Sequence, residues 1–147
     1  MGFLPNGDLI IVSSKYDYKL KDCKIYYYSV ENKPTTNTTF WKCSQIYDIE
    51  LSESINDDNS HFFVCQTKLF YINTYKRLMF QWDLSTMTFD MQYFLVNLVD
   101  PDYLSGPEIV INKNQTLLAL NTYNNGNRNY KIYVFSMETG TFISKYG

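Results

Sequence analysis

Apolar and polar positions along this chain fall into short β-type runs separated by turn residues. The clearest is near the C-terminus. Lys131 to Met137 is rich in β-branched and aromatic residues and has no Gly or Pro, a composition that fits a pleated surface. Glu138-Thr139-Gly140 follows as a turn in which Gly140 is free to take positive φ. Thr141 to Tyr146 then resumes the strand pattern. Side chains alternate across a strand, so Ile132 and Val134 point one way while Tyr133 and Phe135 point the other. Both faces are apolar, which predicts a hairpin covered on both sides.

The pattern repeats. Lys24 to Val30, Arg77 to Leu84 and Lys131 to Met137 each open with a basic residue and place an aromatic at a matched position: Tyr28, Trp82 and Phe135, which are 54 and 53 residues apart. A preceding set comprises Leu9 to Ser14, Leu69 to Tyr75 and Leu117 to Tyr123, with Asn-Thr-Tyr ending the last two. A following set comprises Phe40 to Tyr47, Phe89 to Phe94 and Phe142 to Tyr146. An earlier strand is visible in His61 to Gln66 and in Glu108 to Asn112; its partner in the first copy would lie before Met1, or survive only as Phe3-Leu4. A recurring set of this kind signals a repeat architecture. The expected fold class is therefore all-β, with consecutive four-stranded antiparallel sheets. One domain spans 1–147, with repeats at about 1–50, 60–99 and 107–147.

This unit resembles a blade of the WD40-like β-propeller family. Asn6-Gly7-Asp8 resembles the turn before that family's second strand, and Trp82-Asp83 resembles its closing pair. Only one copy carries Trp-Asp, and no copy has the Gly-His pair. The repeat is longer than the family's roughly 40–45 residues and nearer the roughly 50 of kelch repeats, whose double Gly is also absent. The resemblance implies an incomplete β-propeller of about three degenerate blades. A β-sandwich is the alternative, because short strands with regular turns also fit it.

The remaining segments read as connections. Lys15 to Cys23 is a charged link, and Glu31 to Thr39 is a polar loop. Glu50 to Ser60 and Asp100 to Pro107 bound the repeats, and Asn124 to Asn129 is a turn. Met87, Met91, Phe94, Leu95 and Leu98 also fit a helical spacing after a Ser85 cap. The repeat favours a strand over Phe89 to Leu95.

Composition narrows the chemistry. The chain has 147 residues, 45% apolar and 18% aromatic, enough for a packed core and unlike a disordered segment. A net charge of −2 provides no electrostatic footprint for nucleic acid or an anionic membrane. The aromatic excess, Tyr26-Tyr27-Tyr28 included, reads as core between sheets and not as a base-stacking platform. No apolar run is long enough for a membrane helix. Met1 to Pro5 does not read as a secretory leader, and Asn6 breaks the myristoylation motif.

His61, Cys23, Cys43 and Cys65 lack the close ligand pairs of a zinc site. They read as three buried reduced thiols and a structural histidine, so no metal or cofactor is expected. The odd number of cysteines favours a reducing compartment, hence the cytoplasm. No catalytic motif surrounds His61, so no catalytic residues are assigned. Asp57-Asp58 and Asp100-Pro101-Asp102 lack the ligand series of a calcium loop. Asn37-Thr38-Thr39 and Asn114-Gln115-Thr116 match the glycosylation sequon, which a cytoplasmic chain does not use.

What the family resemblance implies for function is a non-enzymatic protein–protein interaction scaffold. Other proteins would bind through the blade-end loops Lys15–Cys23, Glu50–Ser60 and Asp100–Pro107. Alternatives are a carbohydrate-binding propeller, or a non-catalytic part of a propeller enzyme. Three blades do not close a ring. The chain is therefore expected to be part of a larger propeller, or to complete one by self-association.

Overall fold

The computed structural model describes residues 1–17, 20–33, 38–49, 60–73, 76–96, 104–124 and 129–147. Among these the regular structure is entirely β, in twelve strands. They are β1 (Gly2–Phe3), β2 (Leu9–Asp17), β3 (Leu20–Lys33), β4 (Thr38–Ile49), β5 (Ser60–Cys65), β6 (Lys68–Asn73), β7 (Leu78–Asp83), β8 (Thr88–Phe94), β9 (Leu104–Ile111), β10 (Leu117–Asn124), β11 (Asn129–Ser136) and β12 (Phe142–Tyr146). They form three four-stranded antiparallel meanders: β1 to β4, β5 to β8 and β9 to β12. The chain divides into two compact units, Met1–Asn56 holding the first sheet and Asp57–Gly147 holding the other two.

The register explains the repeat. In every sheet the pairing of third and fourth strands shifts by one residue at the same place. The shifts fall between Tyr27 and Tyr28, between Gln81 and Trp82, and between Val134 and Phe135. The matched aromatics Tyr28, Trp82 and Phe135 thus each sit beside a β-bulge, whose extra residue is Ser44, Asp90 or Ile143. Bulges re-aim the strand they interrupt.

Aligned on these bulges, the second strands match differently from the sequence expectation. Leu118 pairs with Phe135 as Leu69 pairs with Trp82. The equivalent of Leu69 is therefore Leu118 and not Leu117. The shared Asn-Thr-Tyr ending misleads by one residue, and the buried Asn73 corresponds to the buried Thr122.

The core of the second unit lies between its two sheets. Phe70, Ile72, Met79, Tyr93 and Leu95 of the second sheet pack on Ile111, Leu118, Leu120, Tyr133, Phe135 and Met137 of the third. The Tyr93 and Phe135 rings meet edge to face at 5.9 Å. The turn before β12 closes against the neighbouring sheet. Gly140 has φ 69°, and a Cβ there would lie 2.9 Å from Met91 Sδ and 3.0 Å from the Gln92 carbonyl oxygen. The first unit buries Ile10, Cys23, Ile25 and Ile49, which share one face of its sheet.

Several expectations are corrected. Lys15–Cys23 is not a link: β2 continues to Asp17, β3 begins at Leu20, and Lys15 stands opposite Asp22. Likewise β3 runs to Lys33 and β4 starts at Thr38, so most of Glu31–Thr39 is strand. Polar residues extend these ladders because cross-strand pairing overrides local propensity. Leu104 to Pro107 belongs to β9. Pro107 is tolerated because β9 is an edge strand whose pairing is irregular there. The helical alternative near Met87 is overturned by β8. Met87 itself sits in the turn with φ 56°. Glu50–Asn59, all of Asp100–Tyr103 and the centre of Asn124–Asn129 lie outside the described residues.

Candidate interaction surfaces

Equivalent positions in the three sheets carry different chemistry. In the first sheet, Gly7 (φ 89°) turns the chain so that Asp8 reaches β3. The Asp8 carboxylate accepts hydrogen bonds from the Tyr27 hydroxyl (2.6 Å), the Val30 N–H (3.1 Å) and Asn6 Nδ2 (2.6 Å). The Tyr27 bond leads in holding Asp8 below the usual carboxylate value, against the upward push of burial. The sequence-predicted turn Asn6-Gly7-Asp8 is therefore a clasp between β2 and β3.

In the second sheet, Lys68 occupies the position equivalent to Asp8. Its Nζ donates to Asp83 Oδ2 and Asp90 Oδ2, both at 2.8 Å. Gln81 Nε2 donates to the same Asp90 oxygen at 2.5 Å, and Tyr93 Oη donates to Gln81 Oε1 at 2.5 Å. Burial would lower the Lys68 value, but its two aspartates reverse the sign and hold it above the ordinary lysine range. For Asp83, burial raises the carboxyl, while Lys68 and Ser85 outweigh it and bring the value to about 2. Burial, then the charge of Asp90, pushes the Tyr93 phenol well above the ordinary tyrosine range. Asp83 of the Trp-Asp pair also caps its turn, accepting from the Ser85 N–H at 2.7 Å and from the Ser85 hydroxyl. Sequence reading missed this network, although Lys68 and Asp83 stand directly opposite across one hairpin.

In the third sheet the same positions are Leu117, Val134, Ile143 and Tyr146. No clasp forms there among the described residues. Instead the sheet presents an open apolar face. Val110 is 62% exposed and Tyr146 60%, whereas its equivalent, Tyr93, is 0% exposed. Ile132 and Leu117 are exposed on the same face. This corrects the expectation that the last hairpin is covered on both sides: Tyr133 and Phe135 are buried, and the Ile132 side is open. Asn121, on the open side where the second sheet has Ile72, leaves its Oδ1 without a hydrogen-bond partner. In the first unit, Phe3, Trp41 and Ile46 are exposed, and the Phe3 and Trp41 rings lie 5.9 Å apart.

The structure does not bring the remaining predicted side chains together. His61 is half-buried on β5, beside Phe63, and burial lowers its basicity. All three cysteines are free. Only Cys23 is buried, which pushes its thiol up to about 11. Cys65 is half-buried, and Cys43 is exposed because β4 is an edge strand and presents it opposite Tyr28, away from the buried face. This corrects the expectation of three buried thiols. Tyr26, Tyr27 and Tyr28 are half-buried rather than core. Among the described residues no three His, Cys, Asp or Glu side chains gather as metal ligands, and no helix is long and apolar enough to cross a membrane. Of the three loops expected to bind partners, Glu50–Asn59 lies outside the described residues, as do the first half of Asp100–Pro107 and the tip of Lys15–Cys23.

The fold defines a class: an all-β repeat protein of three successive four-stranded antiparallel sheets. No family model matches the sequence, and no curated protein matches it.

Proposed function

We propose that this chain is a non-enzymatic protein-interaction scaffold of WD40-like type, and that the open face of the third sheet is where further polypeptide packs. One observation carries the reading. At positions where the second sheet holds the buried Gln81 and Tyr93 and the half-buried Lys68, with Asp90 exposed beside them, the third sheet holds Leu117, Val134, Ile143 and Tyr146 and stays open. Exposed apolar patches of this kind mark interaction surfaces. Further sheets of a larger propeller, or a second copy of the chain, would cover it. The three free thiols favour a reducing compartment, and we place the protein in the cytoplasm.

The test is light-scattering mass of the purified chain across a concentration series, alongside a Val110→Lys/Ile132→Lys variant. The expected result is association that the variant abolishes while its circular dichroism stays unchanged. A monodisperse monomer at every concentration, unaffected by the variant, would overturn the reading.

A further inference from the structure

The clasp of the first sheet holds a chemistry that the other two sheets lack. Its turn contains an Asn-Gly pair, and Asn6 is exposed. The equivalent turns before β6 and β10 carry Cys65-Gln66-Thr67 and Asn114-Gln115-Thr116, without glycine. An asparagine amide is open to attack where glycine follows, because glycine has no Cβ to hinder its backbone nitrogen and leaves that nitrogen free to turn. In that reaction the Gly7 nitrogen bonds to Asn6 Cγ and the Cγ–Nδ2 bond breaks. Ammonia leaves with the Gly7 amide proton, and a cyclic succinimide remains. Water then opens one of the ring's two acyl–nitrogen bonds, giving aspartate or isoaspartate. Water enters, ammonia departs, and no oxidant or reductant is needed.

The closed clasp occupies both reacting groups. Asn6 Nδ2 donates to Asp8 Oδ2 at 2.6 Å, and Asn6 Oδ1 accepts from the Asp8 N–H at 3.1 Å, an Asx turn. The Gly7 N–H donates to the Leu4 carbonyl at 2.9 Å, and the Leu4 N–H donates to the Asp8 carbonyl at 2.8 Å. Asp8 is in turn fixed to β3 by the Tyr27 hydroxyl and the Val30 N–H. The product cannot rebuild this arrangement. A carboxylate at position 6 has no N–H to donate and meets the carboxylate of the buried Asp8, so two like charges oppose each other where a hydrogen bond stood. We propose that Asn6 is a deamidation site guarded by the Asp8–Tyr27 clasp, and that its conversion leaves the clasp unable to close. The device runs one way: opening of the turn exposes the pair, and conversion removes the donor that would close it.

Peptide mapping by mass spectrometry of the full chain, aged at mildly alkaline pH, tests this by reading the fraction converted at Asn6. The chain's other Asn-Gly pair, Asn125-Gly126, lies outside the described residues and is read on a separate peptide of the digest. Conversion at Asn6 is expected to run about tenfold slower in the folded chain than in the same chain in urea, since it must await local opening. Tyr27→Phe, which removes one hydrogen bond of the guard, is expected to speed it about fivefold in the folded chain. Amide hydrogen exchange of Asn6→Asp reads the product directly: the Leu4, Gly7 and Val30 amides lose protection, while Asn6→Ser, which keeps a donor without adding charge, retains it. Equal rates at Asn6 in folded and unfolded chains would overturn the proposal, as would no conversion in either. So would a rate indifferent to Tyr27→Phe, or full protection of those amides in Asn6→Asp.

Discussion

The second and third sheets share strand order, strand register and the position of a bulge, yet their outward chemistry is opposed. Asp90 and Ile143 are the same extra residue in the same bulge. Asp90, its side chain 37% exposed, accepts from Lys68 and Gln81 beside the buried Gln81 and Tyr93; Ile143 stands 51% exposed on a face that nothing among the described residues closes. The backbone plan sets where a face lies, and side chains decide whether it is finished internally or left for a partner. A polar cluster can be enclosed because its groups satisfy one another. An apolar face has no such internal solution and gains only by being covered.

The largest effect should separate the two sides of β11. Phe135→Ala is expected to cost about 4 kcal/mol in urea unfolding, because it opens a cavity between two packed sheets. Ile132→Ala, three residues earlier on the open side, should cost less than about 1 kcal/mol. Similar costs at both positions would mean the outer face is covered in the isolated chain.

Next in size is Lys68→Met, expected to cost about 2 kcal/mol because it leaves Asp83 and Asp90 without their cation in a partly buried site. The pH dependence follows from Asp83. Its folded value of about 2 lies below the reference of 3.8. Its stabilisation is therefore complete above the unfolded value and is lost as pH falls from about 4 towards 2. Urea midpoints measured over that range should decline, and Lys68→Met should flatten the decline. An unchanged slope would show that other carboxylates dominate acid unfolding.

The smallest pair compares two turns. Met87 and Gly140 are equivalent, both with positive φ, at 56° and 69°. Gly140→Ala should cost about 1.5 kcal/mol, from left-handed backbone strain and contact with Met91 and Gln92. Met87→Gly should gain about 0.5 kcal/mol, since relief of strain is offset by the extra freedom of unfolded glycine. Thermal melts of both variants check the signs.

Much of this architecture was legible in the residues. The matched aromatics Tyr28, Trp82 and Phe135 mark the same point of each sheet, and Phe142–Tyr146 was located to the residue, because β-rich composition and turn glycine agreed there. The charged ladder of β2 and β3 beyond Ser13 was not legible, since its extended backbone is imposed by pairing rather than by local preference. The Asp8–Tyr27 clasp was hidden for a related reason: its partners are 19 positions apart and meet only once the meander has formed. The openness of the third sheet was hidden as well. An apolar strand pattern states that a face seeks cover, and only the assembled sheets show that the Tyr133 side obtains it and the Ile132 side does not.

The repeated bulge has a further consequence. Side-chain direction in a strand works like a two-phase reading frame, and one inserted residue shifts it. Downstream of Ser44, Asp90 and Ile143 each fourth strand is read in the other phase, which turns Tyr47, Tyr93 and Tyr146 to the face that also holds Tyr27, Gln81 and Val134. Deleting Asp90 alone would restore the uninterrupted phase and exchange the inside and outside of the remainder of β8.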